Sequence, residues 1–345
     1  MILVVFSHVE AMGLDLGSNH EGINNLFKMF RMPLFFFVSG FIAYRIREVW
    51  NWEHYRNSML KKMRVQLIPM LFFGILFTLT VFSYKNNTTP TEALSMFFFT
   101  QSKLGYWFTE VLLEMFIIYY TVSFLMRKRK LRSRQIVLII IAVCFFVLSL
   151  FGVSTFSNNN VLNCLSIYNL LLYFQFFIFG NLASCYREKV FKILDNKYVI
   201  TIILLLLAAT FIIYYHQTDI SQGRMYLSST KLLAEGLAYL GITTVIAVFR
   251  HYEDFFSQNT KIGRGLQYIG RRTLDIYLLH FFLIPSIPQI GLFFKSYKNL
   301  VLEATTVITL SLLVILFCLI ISNIIRISPF LAHYLFGVKK KEIRK

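Results

Sequence analysis

The sequence predicts an all-α protein, a polytopic transmembrane bundle of about 10 helices with both ends in the cytoplasm. Three observations lead there: a composition that needs lipid as its solvent, recurrent apolar runs of membrane-spanning length, and cations that alternate from loop to loop. The 345 residues are 57% hydrophobic and 15% charged, and 37 of them are Phe. The mean hydropathy is +0.61. Soluble domains carry roughly a quarter of their residues as charges to cover their surface. Too few charges and too many phenylalanines for one water-facing core place this chain in a bilayer.

A helix needs about 20 mostly apolar residues to cross roughly 30 Å of hydrocarbon. Nine runs approach that length, near 27–46, 66–84, 105–126, 135–153, 165–184, 198–216, 230–249, 272–294 and 302–325. The opening run MILVVFSHVEAM precedes Gly13 and polar sequence. Its roughly 12 residues reach about 18 Å as a helix, too short to span. It is read either as a helix that enters part way or as one that begins upstream of Met1, and the second reading is preferred. No cleavable signal peptide is evident, and the four cysteines show no CxxC spacing and read as small hydrophobes.

Orientation follows from Lys and Arg. With both ends inside, the inner segments are Arg45 to Arg64, Arg127 to Arg134, Arg187 to Lys197, Arg250 to Arg272 and the tail from Arg326. They hold 27 of the 35 cations, while the outer side keeps 8: Lys28, Arg31, Lys85, Lys103, Arg224, Lys231, Lys295 and Lys298. The net charge of +18 would suggest nucleic acid in a soluble protein. Here it is read as anchoring on an anionic leaflet, with membrane lipids as the partner and no nucleic acid.

Ionisable groups inside apolar spans are costly, which makes them functional candidates. His8, Arg31, Glu110, Glu114 and His280 stand out. At about 1.5 Å per residue, His8, Arg31 and Glu110 fall roughly 6–7 Å below the outer edge, with Glu114 one turn deeper and His280 near midplane. Glu110 sits beside Tyr106 and Trp107, which read as interface aromatics. His20, His54, His216, His251 and His333 read as solvated or interfacial. Pro285 and Pro288 interrupt the segment after His280 and withdraw hydrogen bonds from the carbonyls of Phe281 and Ile284. A broken helix at membrane depth needs protein or water around it, so a cavity near His280 is expected.

These residues carry a family resemblance. Arg31-Met32-Pro33-Leu34-Phe35-Phe36-Phe37-Val38-Ser39-Gly40-Phe41 resembles the second-helix signature of acyltransferase family 3, the multispanning O-acyltransferases. His8 in VVFSHVE resembles that family's first-helix histidine. Tyr106-Trp107-Phe108 with Leu112 resembles its WFL helix, and Tyr268 through Ile276-Tyr277-Leu278-Leu279-His280 its IYLLH motif. The matches follow the family's order over nearly the whole chain, so a single integral-membrane acyltransferase domain over 1–345 is expected. Two departures stand beside them. The basic residue that the family carries eleven positions before its first histidine would precede Met1, and Lys61, Lys62 and Arg64 stand with altered spacing where the family has an RxxR-like pair.

The resemblance implies an acyl donor inside, acyl-CoA and most simply acetyl-CoA, used as a cosubstrate with no permanently bound cofactor and no metal. It implies a glycan or lipid-linked sugar hydroxyl outside as acceptor, and a bacterial cytoplasmic membrane as the setting. His8 is expected as the base or an acyl relay, with Arg31 orienting the acceptor or stabilising negative charge. His280 would assist, Glu110 or Glu114 would orient an imidazole, and Lys61, Lys62 and Arg64 would bind the donor's phosphates. Ser39 reads as close packing rather than a nucleophile. The rival reading is a transporter or flippase, which also uses buried charge and broken helices. A scaffold or sensor without chemistry is a third.

Overall fold

The computed structural model describes residues 1–16, 24–44, 50–150, 156, 159–220, 227–297 and 299–338, without the side chains of 26, 197, 215–220 and 227–230. His20, Arg45, Arg47, Arg224, Lys298 and the tail from 339 lie outside the described residues, as does the side chain of His216. Among the described residues the chain is helical, with no strand. Among the described residues six helices are long and apolar enough to cross a membrane, or up to eight if each of two bent pairs is one span. Their surfaces are what lipid requires. Only 17% of the Leu131–Ser149 window is buried, and Ile140, Val143 and Val147 point outward. In water such faces would aggregate; in hydrocarbon they are solvated.

The chain divides into two compact units. The first comprises Met1–Tyr44, Phe179–Arg272 and Pro285–Leu313. It opens with the short apolar helix Ile2–His8, which runs into a π-helical turn at Val9–Gly13 and matches the length expected of the opening run. The second helix, Asn24–Ala43, carries Pro33 inside it. Gly180 lets this helix approach closely: a Cβ there would stand 1.9 Å from the Phe37 carbonyl oxygen. Phe179 packs on Phe37 with ring centroids 5.2 Å apart, and Tyr239 closes on the other side of Phe179 at 5.1 Å. Small residues at such crossings are how membrane helices come together without a hydrophobic drive. Gly180→Ala is therefore expected to cost about 1–3 kcal/mol through overpacking. Gly236→Ala, with nothing within 4 Å, serves as the neutral control in the same denaturation series in detergent.

The second unit comprises Arg45–Ile178, Thr273–Ile284 and Val314–Lys345. Its first helical stretch runs from Trp52 to Asn86, so the inner segment expected at 45–64 is helical from Trp52 onward. Two π-helical turns interrupt it. The one at Met63–Leu67 precedes Pro69, which has no N–H for the Val65 carbonyl. The one at Thr78–Phe82 begins at Thr78, whose Oγ1 donates back to Gly74 O at 2.7 Å, a local competition that bends helices. The next helix, Pro90–Phe99, begins with a capping box in which Thr89 and Glu92 satisfy each other's backbone. Beyond it stand the helices Trp107–Leu125, Leu131–Ser149 and Thr273–Leu283, then the last span and Pro329–Phe336.

Pro285 and Pro288 break the helix as expected: Thr273–Leu283 ends before them, and Pro288 opens the separate helix Pro288–Ser296. A second bent pair, Arg187–Leu194 and Tyr198–Tyr214, meets at 82°, at the polar residues Asp195-Asn196-Lys197 that precede the apolar run at 198–216. His333 differs from its expected solvation. It is buried, with Nδ1 2.7 Å from Val338 O, because the Pro329–Phe336 helix folds back on its unit instead of trailing into water.

Candidate active site

The candidate residues divide between the units. His8 and Arg31 fall in the first, and Glu110, Glu114 and His280 in the second. Each unit brings together two of the four sequence signatures.

In the first unit, the histidine helix and the RMPLFFFVSG helix are joined next to His8. Ser7 Oγ hydrogen-bonds to Asn24 Oδ1, and Phe6 meets Phe27 edge-on at 6.1 Å. Val4, Val5, Phe6 and Val9 are buried around it while His8 keeps partial exposure. The imidazole therefore sits on a fixed backbone with a face still accessible, at the point where α-helix passes into π-helix. Such turns recur at functional sites. Arg31 lies one turn beyond Phe27 on the second helix, also partly exposed. Ser39 donates to Phe35 O at 2.8 Å, so its hydroxyl is spent on its own helix. The end of the first helix is fastened by Ile287 N–H to Gly13 O at 2.7 Å and by Lys295 Nζ to Asp15 O at 2.7 Å. The segment after the proline break thus packs on the histidine helix. Glu10, 3% exposed two residues after His8, was not singled out in the sequence, although its signal is the same: an acid inside an apolar run.

In the second unit, the tyrosine of the IYLLH stretch holds the start of the WF helix. Tyr277 Oη donates to Gly105 O at 2.8 Å and accepts from the Phe108 N–H at 3.3 Å. Tyr106 Oη returns a bond to Leu278 O at 3.0 Å. Gly105 has φ +103 with the Phe281 ring directly over its Cα, so no side chain fits there. His280 has 0% exposure. Its Nδ1 lies 2.8 Å from Tyr277 O and 3.1 Å from Ile276 O. Carbonyls only accept, so Nδ1 carries the proton and Nε2 is the basic nitrogen of the neutral ring. The Phe281 ring packs against the imidazole, with centroids 4.0 Å apart.

The Trp107–Leu125 helix begins two residues later than the sequence suggests, which puts Glu110 in its first turn. Glu110 accepts from Ser166 Oγ at 2.9 Å and pairs with Lys103 Nζ at 3.4 Å. Lys103, expected among the outer cations, is instead 2% exposed. Its ammonium donates to Cys164 O at 2.7 Å and to Phe98 O at 3.1 Å. Burying a charge this completely requires such partners. The backbone here is held off its usual minima, with positive φ at Lys103, Leu104 and Ser166, conformations that cost energy and cluster at functional sites. Glu114 follows one turn on, same face. Its Oε2 is buried without a hydrogen-bond partner among the described residues.

The cations expected to meet the donor stand in three different surroundings. Lys61 is exposed, Lys62 Nζ lies 3.4 Å from the Phe116 ring centroid, and Arg64 stands in the π-helical turn. Arg64 Nε is buried with no hydrogen-bond partner among the described residues, a donor suited to an anion. Asp275 and Arg326 form another ionic pair of this unit, and neither was singled out as a site residue. Arg326 Nη2 and Nε reach Asp275 Oδ2 at 2.7 and 2.9 Å, and Ser322 donates to the same oxygen. Arg326 was read only as the first cation of the tail, and Asp275 lies inside the apolar run at 272–294.

With the site in view, comparison with known proteins identifies the chain's relatives. The family model described as an acyltransferase domain matches residues 1–336. Among curated proteins and among solved structures, none matches. Coverage of nearly every residue, on helices able to cross a membrane, leads to one assignment. The chain belongs to acyltransferase family 3 and is an integral, multi-pass membrane acyltransferase.

Proposed function

We propose that the protein transfers an acetyl group from cytoplasmic acetyl-CoA to a hydroxyl of a glycan or lipid-linked sugar on the far side of a bacterial cytoplasmic membrane. The family assignment over residues 1–336 carries this reading. The split of 27 cations against 8 supports a bundle of about 10 helices with both ends inside.

In this reading His8 takes the proton of the acceptor hydroxyl as its oxygen bonds to the acyl carbon. The carbon–sulfur bond breaks, and coenzyme A leaves as a thiol that receives the proton. Arg31 stabilises the negative charge that develops on the acyl oxygen. His280 assists proton transfer through Nε2, and Glu110 and Glu114 orient an imidazole as the third group of a relay does. Lys61, Lys62 and Arg64 draw the donor's phosphates, with the buried Arg64 Nε the strongest donor among them.

Membranes expressing the chain, incubated with radiolabelled acetyl-CoA beside the host's native envelope, are expected to place label in an alkali-labile glycan or lipid fraction. No incorporation from a folded chain offered several acyl donors overturns the reading. Solute uptake without acyl consumption assigns the protein to transport instead.

A further inference from the structure

The first unit holds a groove that the proposed chemistry does not use. It has a volume of about 490 Å³. Phe37, Val38 and Phe41 line it from the second helix, and Val245, Ile246 and Phe249 from the helix Leu227–His251. Its polar edge is made by Arg187, Arg250 and Glu253. Arg187 opens the short helix Arg187–Leu194, and Arg250 lies in the last turn of a candidate span. The groove is therefore apolar along the span and charged at the span's end, beside the basic segments.

The charges at this edge are not equivalent. Arg250 donates to Asp195 through Nε at 2.9 Å and also pairs with Glu253, so its charge is met twice. Arg187 is exposed, 5.0 Å from the Phe191 ring centroid, with no carboxylate partner among the described residues. Lys189 and Lys192 continue the cationic character of the same exposed helix. One guanidinium fork thus stands open at the mouth of an apolar trough, a geometry that matches an anion on a hydrocarbon tail.

We propose that this groove seats one anionic phospholipid, its phosphate on Arg187 and an acyl chain between the two phenylalanine-bearing helix faces. Cationic recesses between spans on the basic side of a membrane select such lipids. The order of head and tail follows from the order of charge and hydrocarbon along the groove. A lipid lying against a flat helix face has no fork to bind and no walls to enclose its chain. Such a lipid shows no headgroup preference beyond the general pull of the basic loops.

The test is native mass spectrometry of the full chain in neutral detergent, titrated with phosphatidylglycerol and with phosphatidylcholine of the same chain length. The wild-type protein is expected to retain one phosphatidylglycerol with about a tenfold preference, the worth of one charge-assisted contact. Arg187→Glu is expected to bring that preference close to unity. Ile246→Trp fills the trough without changing charge and is expected to lower retention of both lipids. Arg187 is exposed, so its variant decides the matter should Ile246→Trp not fold. Retention by Arg187→Glu equal to wild type overturns the proposal. So does displacement of the lipid by equimolar palmitoyl-CoA, which makes the trough a donor-tail site.

Discussion

His8→Gln is expected to lower kcat/KM for acyl transfer by about 10²–10⁴-fold, the range associated with a positioned general base, while leaving the unfolding midpoint in detergent unchanged. Stability is spared because packing on either side of His8 fixes the helix. Val4, Val5, Phe6 and Val9 are buried, Ser7 bonds Asn24, and Phe6 packs on Phe27. The imidazole itself remains partly exposed at the junction with the π-helical turn. His280→Gln is the informative contrast. That ring has 0% exposure and Nδ1 engaged by two carbonyls, so its removal disturbs packing as well as any proton transfer. Parallel kinetics and melts separate the two histidines. A His8→Gln enzyme within tenfold of wild type would exclude His8 as the base and leave His280 the stronger imidazole.

The contrast shows which parts of this protein are legible in its sequence. Spans are, because hydrocarbon enforces a length and forbids unpaired backbone, and the ends of Leu300–Ile325 and Ile167–Cys185 fall within two residues of their apolar runs. The proline break is also legible, since Pro285 and Pro288 act locally. His8 and Arg31 announce themselves as charges inside hydrophobic runs. Lys103 does not. It stands among Ser, Gly and aromatic residues that read as an outer loop, and its partners, the carbonyls of Phe98 and Cys164 and the carboxylate of Glu110, come together only in the folded chain. Residues become legible when one element explains them. They stay hidden when their partner comes from elsewhere in the chain.

Asp275 is the sharpest instance, and its removal is expected to be the most destabilising single change in the second unit. Its carboxylate is 2% exposed, 47 positions from Ser322 and 51 from Arg326 in sequence, yet it accepts from both. It lies five residues before His280 on the Thr273–Leu283 helix, so the pair ties that helix to the end of the last span. Arg326 also rests on the Phe336 ring, 4.9 Å from its centroid, which anchors the Pro329–Phe336 helix to the same point. Asp275→Leu strands this guanidinium, at a cost of about 3–5 kcal/mol, whereas replacing both partners by apolar residues is often close to neutral. The double variant Asp275→Leu with Arg326→Leu is therefore expected to recover most of the loss in a denaturant titration of the purified protein. If the double variant is as unstable as Asp275→Leu alone, the carboxylate acts through Ser322 and the helix backbone, and the ion pair is not what fixes the His280 helix.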